Sequence, residues 1–120
     1  MKLTLKTAMI SLAAFLMSRT AANAHAHLVS TKLITDAAEH SEIDLSFSEA
    51  LSLQFSGAKI VTVDGKQVNL GPLALLKDDA KVLIIPVQNK LTAGTYFVDW
   101  KAVADDGHKT TGRASFEVKP

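Results

Sequence analysis

Asp105-Asp106-Gly107-His108 places a carboxylate and an imidazole one glycine apart, between two runs that read as β-strands, Thr95 to Val103 and Thr111 to Lys119. Glycine adopts positive φ without steric cost, so the chain can reverse sharply there. Asp106 and His108 can then point to the same side of the loop tip. A carboxylate oxygen and an imidazole nitrogen converging on one point suit Zn(II) or Cu(II). The plain alternative is a polar hairpin turn with an incidental histidine, since Asp-Gly is a common turn dipeptide.

A second set of donors stands near the other end, at His25-Ala26-His27. Its meaning depends on what precedes it. Lys2 and Lys6 form a positive region, and Ala8 to Met17 is an apolar run broken only by Ser11. That run is too short to span a membrane. Ser18 to Ala24 is small and polar and ends in Ala22-Asn23-Ala24. Residues 1–24 therefore read as a secretory signal peptide with an A-x-A cleavage site, leaving one soluble domain at 25–120. A rival cut after Ala26 also satisfies A-x-A and would expose His27 instead.

Cleavage after Ala24 makes His25 the amino terminus. A terminal histidine offers two nitrogens, the α-amine and ring Nδ1, that can close on one ion. The amine's unperturbed pKa of about 7.7–8.0 means that little proton displacement is needed near neutral pH. His108 brings a third nitrogen and Asp106 an oxygen. Three nitrogens and one oxygen in a plane form the tetragonal set that Cu(II) favours, while zinc would draw the same donors toward a tetrahedron. A second mode competes. The amine, the deprotonated amides of Ala26 and His27 and the His27 ring can also enclose Cu(II) in a square plane. His27 is thus the alternative ligand. The first mode wins only if the terminus and the Asp-Gly-His loop meet in the fold. His40, between Glu39 and Glu42, reads as solvated surface.

Composition bounds the rest. Removing Lys2, Lys6 and Arg19 leaves ten cations against twelve anions, a net −2 where the precursor has +1. The mature chain therefore offers no basic patch for nucleic acid. It has no cysteine, and its three methionines (Met1, Met9, Met17) all fall in the signal. A small exported domain without disulfides has to stand on its hydrophobic core. It also lacks every soft ligand that Cu(I) prefers.

Strand signals supply that core. Leu28 to Ile34 reads as a first strand. Ile43, Leu45 and Phe47 alternate strictly with polar residues, the period of a half-buried strand. Glu49 to Gly57 is ambiguous, with room for a short helical turn. Ala58 to Val63 and Lys66 to Leu70 read as strands around an Asp64-Gly65 turn, and Gly71-Pro72 ends the second. Lys77-Asp78-Asp79 reads as an exposed bend before a buried strand at Val82 to Ile85, which Pro86 ends. Leu91, Gly94 and Tyr96 have the spacing of a tyrosine corner. Tyr96, Val98, Trp100 and Ala102 share one face of the next strand, with Trp100 as the core aromatic. Ala114, Phe116 and Val118 face inward on the last. About seven short strands without helical periodicity predict an all-β, immunoglobulin-like antiparallel sandwich.

The runs Ala24-His25-Ala26-His27-Leu28, Leu45-Ser46-Phe47-Ser48-Glu49, Phe55-Ser56-Gly57-Ala58, Leu91 to Trp100 and Asp106-Gly107-His108-Lys109-Thr110-Thr111-Gly112 resemble the CopC family of periplasmic copper-resistance and copper-homeostasis proteins. The likeness is greatest to its short, YobA-like members and covers essentially all of 25–120. It implies an immunoglobulin-like β-barrel that binds one Cu(II) ion at His25, Asp106 and His108. It also implies a monomer without catalytic activity and a CopD-like inner-membrane partner. Some members carry a Cu(I) site in a methionine-rich loop, and this chain departs from them there. Two other functions compete. One is a copper oxygenase built on a terminal histidine brace, for which Tyr96 and Trp100 are the candidate sugar-stacking residues. The other is a metal-free structural module.

Overall fold

The computed structural model describes residues 25–120, so the signal-peptide reading of 1–24 lies outside the described residues. Seven strands form: β1 Leu28–Thr35, β2 Ser41–Phe47, β3 Gly57–Thr62, β4 Ala74–Leu76, β5 Asp79–Pro86, β6 Gly94–Val103 and β7 Lys109–Val118. They make two antiparallel sheets, one of four strands in the order β1-β2-β5-β4 and one of three in the order β3-β6-β7. This is the predicted sandwich.

The alternation seen in the sequence decides which side chains meet between the sheets. Ile43, Leu45 and Phe47 from β2 and Leu83 and Ile85 from β5 are buried on one side. Ile60 from β3 and Tyr96, Val98, Trp100 and Ala102 from β6 are buried on the other. The Trp100 ring meets Phe47 edge to face, with centroids 5.1 Å apart, so it ties the two sheets as a core residue. β7 is the edge of its sheet, and Ala114, Phe116 and Val118 are only half covered while Arg113, Ser115 and Glu117 face water. The tyrosine corner is present: Tyr96 Oη donates to the carbonyl of Thr92 at 2.7 Å.

Two stretches differ from expectation. Lys66 to Leu70 makes no strand. Gln67 bridges to Val61 in the first turn after β3, and Leu70 bridges to Val87 beyond β5. The segment thus leaves one sheet and arrives at the other, too briefly to build a ladder with either. The fourth strand is instead Ala74–Leu76, a three-residue edge turned back on β5 through Lys77 and Asp78. Asp78 adopts φ 70° in that turn, a left-handed conformation that aspartate tolerates. Within Glu49 to Gly57 a single turn forms, with the amides of Phe55 and Ser56 both donating to the Ser52 carbonyl.

One feature of the topology positions the site. β1 begins, and the β6–β7 hairpin turns, at the same end of the sandwich. Leu51 bridges Ala104, and the amide of Asp105 donates to the Ala50 carbonyl at 3.2 Å. The connection after β2 therefore braces the hairpin loop from the side.

Candidate metal centre

The loop between β6 and β7 is closed by its own backbone. The amide of Ala104 donates to the His108 carbonyl at 3.0 Å, and that of Gly107 to the Ala104 carbonyl at 2.9 Å. Gly107 has φ 90°, where a Cβ would be strained. This is the reversal that glycine between Asp106 and His108 was expected to provide. Asp106 Oδ1 accepts the backbone N–H of His108 at 3.0 Å, and Oδ2 lies 2.9 Å from His108 Nδ1. The hydrogen bond from the His108 ring, then that from its amide, then the charges of His108 and His25 hold the Asp106 carboxyl below its ordinary pKa. The group is therefore a carboxylate at neutral pH. The 2.9 Å contact fixes the orientation of the His108 ring, as carboxylates do for metal-binding imidazoles.

The segment leading into β1 arrives at the same place. The rings of His25 and His108 stand perpendicular with centroids 4.7 Å apart. His25 Nδ1 is buried and has no hydrogen-bond partner. An unpaired buried nitrogen costs free energy, on the order of 1–3 kcal/mol, unless something else meets it. A metal ion is one group able to meet such a nitrogen, and imidazole and carboxylate donors together suit Cu(II) or Zn(II).

Local packing explains why His25-Ala26-His27 stays here. Ala26 is 1% exposed and belongs to the core, so its methyl group anchors the tripeptide. Thr110 Oγ1 on β7 donates to the Ala26 carbonyl at 2.8 Å. Ser48, just after β2, accepts the His27 amide on its Oγ at 2.9 Å and donates its own amide to the His27 carbonyl at 2.9 Å. The tripeptide is thus tied to both sheets.

The structure brings together His25 with His108, and His108 with Asp106. It does not gather three ready ligands: among the described residues no group of three His, Asp or Glu side chains already stands around one point. Both Asp106 oxygens are engaged with His108, though a carboxylate keeps lone pairs beyond those two bonds. His27 is exposed, and its amide is taken by Ser48. His40 lies at the surface and pairs with Asp36 at 3.2 Å, as its polar setting indicated. Ser48 and Thr110 were not foreseen. Both stand in conspicuous runs, but nothing in the sequence links them to a segment 21 and 84 positions away.

Residues 30–119 match the CopC domain. The chain is 41% identical over 99 residues to protein YobA of Escherichia coli K12, covering 80% of each chain. It is 38% identical over 122 residues to copper resistance protein C of Pseudomonas syringae pv. tomato, covering 95% of this chain and 97% of that one. Among solved structures it is similar to PcoC, a methionine-rich copper resistance protein from Escherichia coli, with TM-score 0.64 and 34% identity. That match covers 80% of this chain and all of the other.

Proposed function

Because the chain belongs to the CopC family, we propose that it is a periplasmic carrier or buffer of Cu(II), exported by residues 1–24 and cleaved after Ala24. One Cu(II) ion is held by the α-amine and Nδ1 of His25, a ring nitrogen of His108 and the carboxylate of Asp106, which turns from the His108 ring to the ion. The observation that carries this reading is the buried, unpartnered Nδ1 of His25 beside the His108 ring. Nδ1 is the ring nitrogen that can share an ion with the residue's own amine. The Asp106 carboxylate adds the negative charge that a dication needs.

The reading is of binding without catalysis. Tyr96 and Trp100, the residues that would stack a sugar in an oxygenase, are 4% and 9% exposed and serve the core. The described residues contain neither cysteine nor methionine, which favours Cu(II) over Cu(I). Action as a monomer and delivery to a CopD-like inner-membrane protein belong to the same proposal.

The test compares two proteins, one beginning at His25 and one with a single glycine ahead of it. In the second, the nitrogen of His25 is an amide and has no lone pair to give. Its fold is unchanged, because Ala26 and the strands do not use the amine. Losing one chelating donor costs several kcal/mol, and about 1.4 kcal/mol is tenfold, so Cu(II) affinity falls by orders of magnitude. Equal affinities and equal EPR spectra would show that the amine is not a ligand. Intact mass of the exported protein decides between cleavage after Ala24 and after Ala26.

A further inference from the structure

Ser48 makes three hydrogen bonds to a segment 21 to 23 positions earlier. Its Oγ accepts the His27 amide at 2.9 Å, its hydroxyl donates to the His25 carbonyl at 3.4 Å, and its own amide donates to the His27 carbonyl at 2.9 Å. A hydroxyl has one donor and two acceptor sites, so both side-chain roles are filled at once.

Two ways of holding copper compete for this segment. One sets the His25 ring and amine against the Asp106 loop. The other wraps the amine, the Ala26 and His27 amide nitrogens, each having released its proton to solvent, and the His27 ring around the ion in a plane. The second needs the His27 amide nitrogen as a ligand, and in this fold that group faces Ser48 Oγ. It also needs the backbone of Ala26 turned toward the ion. Here the Ala26 side chain is 1% exposed in the core, and its carbonyl is held by Thr110 at 2.8 Å.

From this geometry we infer that Ser48 is a positioning residue that selects the copper mode, keeping the His27 amide occupied so that the ion goes to His25 and the loop. The inference rests on the Cu(II) reading above. Hydrogen bonds of this kind each move an equilibrium by about two- to tenfold. Removing the Ser48 hydroxyl breaks two of them, one of them long. The ratio of the two copper forms therefore shifts by about tenfold toward the wrapped form.

The experiment uses the protein beginning at His25, one equivalent of Cu(II) at a fixed near-neutral pH, and EPR to separate the four-nitrogen form from the loop form. Ser48→Ala raises the four-nitrogen fraction by about tenfold relative to the loop form, and Ser48→Thr, which keeps the hydroxyl, matches the parent protein. Adding His27→Ala to Ser48→Ala removes the four-nitrogen signal. Without copper, Ser48→Ala speeds hydrogen exchange at the His27 amide by about tenfold. Thr110→Val releases the Ala26 carbonyl from the other sheet and moves the ratio the same way, which keeps the test alive if Ser48→Ala does not fold. Parent-like spectra and exchange in Ser48→Ala, or a Ser48→Thr protein that behaves like the alanine variant, overturn the inference. So does an unmoved ratio in Thr110→Val. His108→Ala separates the two levels. If it leaves the parent spectrum unchanged, the copper reading falls and the Ser48 role with it. If it alters the parent spectrum while Ser48→Ala does not, only the Ser48 role is overturned.

Discussion

Gly112 pairs with Trp100 across the β6–β7 ladder, and a Cβ on it would lie 2.5 Å from indole Cζ2, 2.9 Å from Cε2 and 3.2 Å from Cη2. Ordinary contact begins near 3.4 Å, so Gly112→Ala forces the indole edge to retreat by about 0.9 Å. The ring has little room to do so, being 9% exposed and set edge-on against Phe47. Overpacking of this kind costs about 1–3 kcal/mol. For a domain of this size, about 2 kcal/mol lowers Tm by about 8–16 °C. Urea unfolding followed by the fluorescence of Trp100, the only tryptophan, measures the loss directly. A double-mutant cycle with Trp100→Phe, followed by far-UV circular dichroism in all four proteins, tests the cause, because phenylalanine lacks the indole's outer atoms. The two substitutions together should destabilise less than the sum of each alone, by roughly 1 kcal/mol or more. Strict additivity, or a Gly112→Ala protein within about 0.5 kcal/mol of the parent, would refute the steric argument.

Three other outcomes are expected. Reduction to Cu(I) should weaken metal binding greatly, because the mature chain has no sulfur ligand; tight retention against a Cu(I) chelator would contradict this. Tyr96→Phe removes the 2.7 Å bond to the Thr92 carbonyl and should cost about 1–2 kcal/mol in urea unfolding, with a smaller loss pointing to a corner held by packing alone. Arg113 meets both oxygens of Asp99, at 2.6 and 2.9 Å, and this hydrogen bonding first, its charge second, lowers the Asp99 pKa. A lowered carboxyl pKa gives stability that is complete above the unfolded value of about 3.9 and is lost as pH falls through the folded one. Arg113→Ala should raise the Asp99 pKa by NMR titration and flatten that acid-side slope. The pair is partly solvated, so the loss of stability at neutral pH should be small.

Much of this was legible in the sequence because it is local. Ile43, Leu45 and Phe47 announce their face by period alone, and Leu91, Gly94 and Tyr96 announce a corner that a single hydroxyl completes. Gly107 marks the reversal between Asp106 and His108. What the sequence hid is long-range. Lys66 to Leu70 has the composition of a strand, but it crosses between sheets, and no pattern within five residues records where its neighbours lie. Ala74–Leu76 is too short to show alternation. The staples from Ser48 and Thr110 depend on the terminus lying between the sheets, which no spacing expresses. The pairing of both Asp106 oxygens with His108 was equally hidden, since the same residues fit a loop in which the carboxylate stands apart.

The bond from Thr110 to Ala26 spans 84 positions. Closing a loop of that length costs entropy that must be met before any contact at its ends forms. The donors at position 25 and those at 106–108 therefore meet only once the final hairpin has docked. A chain with β7 not yet in place has nothing for His25 to face. On the proposed copper reading, loading is then a late event, gated by completed folding rather than by arrival of position 25. An ion that binds only the finished state also draws the whole folding equilibrium toward it, by RT ln(1 + [L]/Kd). Copper supply and the lifetime of the folded domain should rise and fall together.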